Sequence, residues 1–182
     1  PSQAKQAKDA KHAKRAKQAE RVEHAKPRQA SQASQACQAT PSHAKQPKQA
    51  EQAKLRAGER ILINSAAGGV GLAAIQYAKR VGAEVFASAS LGKHEYLRSL
   101  GVRNISTSRD SDVFGREMSA LVGDRGVDVV LNSLTSGNYV EESAALLAPG
   151  GRFIEIGKRN IWSQERMGEF RADVVYTTYS FN

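Results

Sequence analysis

From Leu55 onward, apolar residues arrive in short blocks separated by polar and glycine-rich punctuation; before Leu55 they hardly arrive at all. Ile61-Leu62-Ile63 is a continuous apolar run flanked by charged and turn residues, and it reads as a strand. Ala66-Ala67-Gly68-Gly69-Val70-Gly71 follows at once. An Ala-rich amphipathic run then extends from about Val70 to Val81 and stops at Gly82, a C-terminal glycine cap. The same alternation recurs down the chain. Ala83 to Ser88 predicts a second strand, Lys93 to Leu100 a short helix ending at Gly101, and Val102 to Ser106 a third strand. A helix capped at Ser111-Asp112 runs to about Leu121. Val127 to Leu131 is almost wholly apolar, as a strand covered on both faces should be. Val140 to Leu147 is helical and is halted by Ala148-Pro149-Gly150-Gly151. Arg152 to Ile156 makes a fifth strand, Gln164 to Phe170 a helix, and Val174 to Thr178 a sixth strand.

Strands alternating with helices predict an α/β fold over residues 55–182: a doubly wound parallel sheet, the Rossmann fold. Residues 1–54 carry another pattern. Alanine recurs at every third position from Ala4 to Ala19 and again from Ala30 to Ala39, and Val22 is the only large apolar residue. A three-residue period drifts round a helix instead of building one apolar face, so this low-complexity segment cannot bury a core. It is expected to be a helical or disordered tail. Ala, Lys and Gln favour helix over residues 4–26, and Pro27, Pro41 and Pro47 interrupt it. Three readings of the tail stand: a solvated linker, a basic arm that touches a polyanion, or sequence not native to the domain.

Charge sharpens the division. The 182-residue chain has a formal net charge of +9; residues 1–54 hold 12 Lys+Arg against 4 Asp+Glu, and residues 55–182 hold 15 against 14. The basic character therefore belongs to the tail, which has no aromatic residue to stack on a base, and nucleic acid is not an expected partner. A single cysteine, Cys37, excludes an internal disulfide and a structural zinc site, and the spacing of His12, His24 and His43 suggests no metal. No apolar run approaches the ~18 residues of a membrane span. No hydrophobic leader stands at the start, and a cytoplasmic setting without a membrane partner is expected. The first residue is Pro, which suggests a fragment or a processed product.

The candidate chemistry gathers at the carboxyl ends of the predicted strands, where open α/β sheets bind ligands. A strand, a glycine turn and a helix form the first unit of a dinucleotide-binding sheet, with Ala67, Gly68, Gly69, Val70 and Gly71 placed to receive a pyrophosphate at the helix N-terminus. A carboxylate about 20 positions further on would grip the ribose of NAD. This sequence has none there. It offers Ser88, Ser90 and Lys93, then Arg109 after the third strand, and hydroxyls with cations suit the extra 2′-phosphate of NADPH. Asn132, Ser133 and Leu134 follow the fourth strand and Gly157 and Lys158 the fifth, beside the expected place of a nicotinamide ring. As plain structure, Asn132 and Ser133 would cap the next helix and the cations would be solvated.

Gly58-Glu59-Arg60, the glycine turn, Gly126-Val127-Asp128-Val129-Val130-Leu131-Asn132-Ser133-Leu134 and Gly150-Gly151-Arg152-Phe153-Ile154-Glu155-Ile156-Gly157-Lys158 resemble the enoyl reductase domain of type I polyketide synthases and animal-type fatty acid synthases. The resemblance covers residues 55–182. It implies NADPH-dependent reduction of an α,β-unsaturated thioester carried by an acyl carrier domain, among neighbouring synthase domains. It also implies that Lys158 supports the reaction electrostatically or as proton donor. Zinc-independent quinone reductases share the glycine turn, and an inactive NADPH-binding fragment is the other alternative. The sequence departs from the family's pattern at Asn64, where histidine is common, at Asn160, where aspartate is common, and at Ser180, which takes an acidic place. The substrate domain that precedes this half in the family, with its tyrosine, has no counterpart in residues 1–54.

Overall fold

The structure, a computed structural model, describes residues 53–179; the tail readings for residues 1–52 and the departure at Ser180 lie outside the described residues. Six strands form one wholly parallel sheet: β1 (Arg60–Ile63), β2 (Glu84–Ala89), β3 (Asn104–Thr107), β4 (Val127–Asn132), β5 (Leu147–Glu155) and β6 (Val175–Thr178). Their order is β3-β2-β1-β4-β5-β6, so the chain reverses direction across the sheet between β1 and β4. Between them run α1 (Gly69–Val81), α2 (His94–Ser99), α3 (Ser111–Val122), α4 (Tyr139–Ala145) and α5 (Gln164–Phe170), with a 3₁₀ turn over Leu91–Lys93. The expected doubly wound sheet is the observed one.

The period-2 alternation of side chains divides the core in two. Ile61, Ile63, Ala87, Val129, Leu131 and Ile154 pack on one face of the sheet with Ala74, Ile75 and Ala78 of α1. Leu62, Phe86, Val130 and Phe153 pack on the other with Phe114 and Met118 of α3 and Val140 and Ala144 of α4. Ala53 and Leu55 are buried in the first cluster, so packing begins before the first strand. At the end of α1, Gly82 adopts the left-handed φ of 84° and its N–H bonds to the carbonyls of Ala78 and Lys79, the cap its place in the sequence predicts.

Two expectations are corrected. The cap of α3 is Asp110, whose side chain accepts from the N–H groups of Asp112 and Val113; Ser111 is already helical and its Oγ instead accepts from Asn138 N–H at 3.2 Å. Ala148-Pro149-Gly150-Gly151 is not a break before the fifth strand. β5 starts at Leu147 and absorbs those residues as an irregularity, Val127 pairing with Leu147 and Val129 already with Arg152. The bend is held from outside by Arg171, whose guanidinium donates to the carbonyls of Ala144 and Leu147, and by Asp173, which accepts from Gly150 N–H at 3.0 Å. The Arg171 guanidinium beside it holds the Asp173 carboxyl well below the usual range.

Among the described residues, one buried side-chain group is unsatisfied. Tyr139 is 4% exposed, its ring lies 5.2 Å from that of Phe114, and its hydroxyl has no hydrogen-bond partner among the described residues. Desolvation, with Asp110 nearby, pushes the phenol above its ordinary value. Tyr139→Phe keeps the ring packing and removes the stranded hydroxyl, so it should raise stability by up to about 1 kcal/mol. Thermal unfolding checks this, and a loss of stability would mean that the hydroxyl has a partner.

Candidate dinucleotide site

The reversal between β1 and β4 opens a crevice at the carboxyl ends of these strands, the usual ligand position in such sheets. β1 leads into it through Ser65, which takes a left-handed φ of 53°, unusual for a residue other than glycine. The turn is fixed by two backbone bonds: Ala66 N–H donates to Ser88 O at 2.9 Å and Gly68 N–H to Ser65 O at 3.0 Å. α1 then begins at Gly69 without a side-chain cap and without an acidic residue in its first turn. Its first N–H groups, on Gly69, Val70 and Gly71, carry the positive end of the helix dipole. α3 and α5, by contrast, are capped by Asp110 and Ser163. A Cβ built on Gly69 meets nothing within 4 Å, whereas one on Gly71 lies 2.5 Å from Ala66 O. The first glycine keeps the helix end open, and the second lets the helix lie against the strand.

A groove of about 260 Å³ adjoins this turn, lined by Ser65, Ala67, Gly68, Ala89, Ser90, Lys93 and Ser108. It holds hydroxyls, one cation and no carboxylate. The structure thus gathers Ala67, Gly68, Ser90 and Lys93 in one place. Arg109 is exposed and outside the lining, its N–H bonded to Thr107 Oγ1 at 3.3 Å. Ser65 and Ser108 were not singled out in the sequence, and only their places just after the first and third strands could have pointed to them. A second cavity, of about 290 Å³, sits among Lys79, Glu84, Gly101 and Arg103, at the amino ends of β2 and β3 and away from the crevice.

Ser88 and Asn132 are placed differently from the direct cofactor contacts expected of them. Both are fully buried, and their side chains bond inward. They belong to a polar row across the sheet, each member two positions beyond a core residue: Ser88 after Phe86, Asn64 after Leu62, Asn132 after Val130 and Glu155 after Phe153. Ser88 Oγ donates to Asn64 Oδ1 at 2.8 Å. Asn64 Nδ2 donates to Asn132 Oδ1 at 2.8 Å and to Ser143 Oγ at 2.9 Å. Asn132 Nδ2 donates to Glu155 Oε2 at 2.7 Å, and Gly157 N–H donates to Glu155 Oε1 at 2.6 Å. Burial pushes the Glu155 carboxyl up, while the bonds from Asn132, Gly157 and Ile156 pull it part of the way back.

The row sets two turns on the far side of the crevice. Asn132 closes the first by accepting from Leu134 N–H at 3.2 Å and donating to Leu134 O at 3.0 Å, and Ser133 Oγ donates to Asn64 O at 3.3 Å. Gly157, half-buried, and Lys158, exposed, form the second. The crevice therefore has a cationic, hydroxyl-lined flank beside β2 and β3, an open helix end in the middle, and two backbone turns beyond β4 and β5. A dinucleotide fits that order of groups.

Residues 69–177 match the family model described as zinc-binding dehydrogenase. The chain is 47% identical over 129 residues to the spectinabilin polyketide synthase system protein NorB of Streptomyces orinoci, covering 70% of this chain and 6% of that protein. It is 50% identical over 121 residues to the erythronolide synthase EryA2 of Saccharopolyspora erythraea, covering 65% of this chain and 3% of that one. The crystal structure of CurK enoyl reductase superposes with a TM-score of 0.67 at 52% identity, over 70% of this chain and 38% of that chain. The nucleotide-binding subdomain of the enoylreductase domain of PpsC from Mycobacterium tuberculosis superposes with a TM-score of 0.63 at 37% identity, over 75% of this chain and 82% of that one. The chain thus spans a small part of the synthases and most of the isolated subdomain. The zinc of the family description finds no ligand set: among the described residues no three His, Cys, Asp or Glu side chains gather to hold a metal ion. No helix among them is long and apolar enough to cross a membrane.

Proposed function

Because the chain belongs to the zinc-binding dehydrogenase family, as a nucleotide-binding subdomain of the polyketide synthase enoyl reductase kind, we propose that it is the cofactor half of an NADPH-dependent enoyl-thioester reductase. The observation that carries the cofactor is the groove itself, with Ser90, Ser108 and Lys93 around an opening free of carboxylates, next to an uncapped helix start. Lys93 and the two hydroxyls bind the 2′-phosphate through charge-assisted hydrogen bonds. The N–H groups of Gly69 to Gly71 receive the pyrophosphate. The turns at Asn132–Leu134 and Gly157–Lys158 seat the nicotinamide end. Bound NADPH supplies a hydride to the β-carbon of an α,β-unsaturated acyl thioester, and a proton is added at the α-carbon. Lys158 stands beside that centre as the cation that steadies the developing enolate. An acyl carrier domain presents the thioester, and the neighbouring synthase domains of the relatives are the natural context.

The cofactor assignment has a direct test. One charge-assisted hydrogen bond contributes about 1.5–3 kcal/mol, so the chain should bind NADPH about tenfold or more tightly than NADH. Lys93→Ala should remove about tenfold of NADPH affinity and leave NADH binding unchanged. Arg109→Ala, at an exposed position outside the groove, should cost only about two- to threefold because water and salt screen it. Fluorescence titration of the reduced nicotinamide reads all three. Equal affinity for the two cofactors would remove the 2′-phosphate site.

A further inference from the structure

The donors of the polar row point one way. From Ser88 to Asn64, from Asn64 to Asn132 and from Asn132 to Glu155, each side chain gives a hydrogen to the next. The row ends at a carboxylate, which only accepts, and its second oxygen is filled from the other side by Gly157 N–H. A Cβ on Gly157 would stand 2.7 Å from Glu155 Oε1 and 2.7 Å from Thr135 Cγ2, so only glycine brings its amide this close. Glu155 is 0% exposed and does not line the groove, so it makes no direct contact with a ligand there. We propose that Glu155 is a positioning residue for the nicotinamide end of the bound dinucleotide: its carboxylate locks the Gly157 turn directly and the Asn132–Leu134 turn through Asn132, and so fixes the two walls of that subsite relative to each other. The inference rests on the dinucleotide reading above.

The chemistry of the pair makes two acceptor oxygens essential. Both carboxylate oxygens face donors, Asn132 Nδ2 on one and Gly157 N–H on the other. Glutamine has the same shape but offers one oxygen and one NH₂, so in either orientation it sets a donor against a donor. One turn must let go. The adenosine flank, on the far side of β1, is fixed by the backbone bonds of the Ser65–Gly68 turn, and it reaches Glu155 only through Ser88, Asn64 and Asn132.

The experiment measures two ligands on the full chain. NADPH uses both flanks of the crevice, and adenosine 2′,5′-bisphosphate uses only the groove beside β2 and β3. Glu155→Gln should weaken NADPH about tenfold and leave adenosine 2′,5′-bisphosphate within about twofold of the wild type. In the ligand-free protein it should also release the Gly157 or the Leu134 amide to hydrogen exchange, while those of Ala66 and Gly68, held by backbone carbonyls, are unchanged. Should that variant not fold, Gly157→Ala is the second test: its methyl stands 2.7 Å from Glu155 Oε1, so it parts the turn from the carboxylate and leaves the Asn132 bonds in place. It should weaken NADPH about tenfold and leave the bisphosphate within about twofold of the wild type. Parallel weakening of both ligands, or unaltered NADPH affinity, overturns the positioning role while the dinucleotide reading stands. So does a folded Gly157→Ala variant that binds NADPH as tightly as the wild type. A wild-type chain that binds neither ligand overturns that reading and this inference together.

Discussion

Gly71→Ala should destabilise the domain by on the order of 3 kcal/mol, although alanine is the better helix former. Gly71 lies in the first turn of α1, so local propensity alone predicts a gain of about 1 kcal/mol. Packing reverses the sign. The new methyl would stand 2.5 Å from Ala66 O, 2.6 Å from Ala66 Cα and 2.7 Å from Ala66 C. All three are backbone atoms, and Ala66 N–H is itself bonded to Ser88 O, so no rotamer change relieves the contact. The helix must lift from the strand and carry Ala74, Ile75 and Ala78 away from the core they share with Ile61 and Ile63. Gly69→Ala is the internal control, because its methyl meets nothing within 4 Å. It should leave stability unchanged within about 0.5 kcal/mol and weaken NADPH, because the methyl fills the space the pyrophosphate needs. Urea unfolding of the two variants separates these effects, and wild-type stability in Gly71→Ala would mean that helix and strand are not in the contact described.

The contrast between those glycines marks what a sequence can say. The strand, turn and helix around them were legible because apolar blocks of strand length alternate with an amphipathic run that ends at Gly82, and each signal is local. Element ends shifted by a residue or two, as with β3, which begins at Asn104 and not at Val102. Pro149-Gly150-Gly151 read as a stop because those residues usually break structure; Arg171 and Asp173, distant in sequence, hold them inside β5 instead. The polar row was hidden for the same reason. Ser88, Asn64, Asn132 and Glu155 each look like a ligand contact, a cap or a solvent-facing residue when taken singly. Their partners lie on other strands, 24 positions apart for Ser88 and Asn64, 68 for Asn64 and Asn132, and 23 for Asn132 and Glu155. One trace was present: every member sits two positions past a core residue, on the face that should be buried. Polar residues continuing an apolar face at strand ends are candidates for a satisfied internal network, because burial without a partner is too costly.

Lys158→Ala should lower kcat for reduction of a crotonyl thioester by on the order of 10²-fold when residues 55–182 replace the nucleotide-binding half of an enoyl reductase. The size of the loss depends on the surroundings of the lysine. A cation ~5 Å from the developing enolate oxygen contributes only about 0.8 kcal/mol in bulk water, close to fourfold in rate. At an effective dielectric of about 20, the same pair contributes about 3.3 kcal/mol, a few hundredfold. Lys158 is exposed in this chain, so the large value requires a substrate half to cover it. The NADPH affinity of the chain itself should change by no more than about threefold, since the Lys158 side chain is exposed and outside the groove and the substitution leaves the backbone of its turn in place. Lys158→Arg separates the two roles proposed for this side chain. Arginine keeps the charge and cannot give up its proton, so an electrostatic role predicts a rate within about tenfold of the wild type, whereas a proton-donating role predicts that arginine fails as alanine does. We expect the electrostatic result. The turn that carries Lys158 is anchored through Gly157 to a buried carboxylate, an arrangement that fixes where a charge stands. Proton delivery would need further the ammonium to reach the α-carbon itself. If alanine costs no more than about fourfold in the covered cleft, Lys158 is a solvated surface charge and the enolate is stabilised from the substrate half.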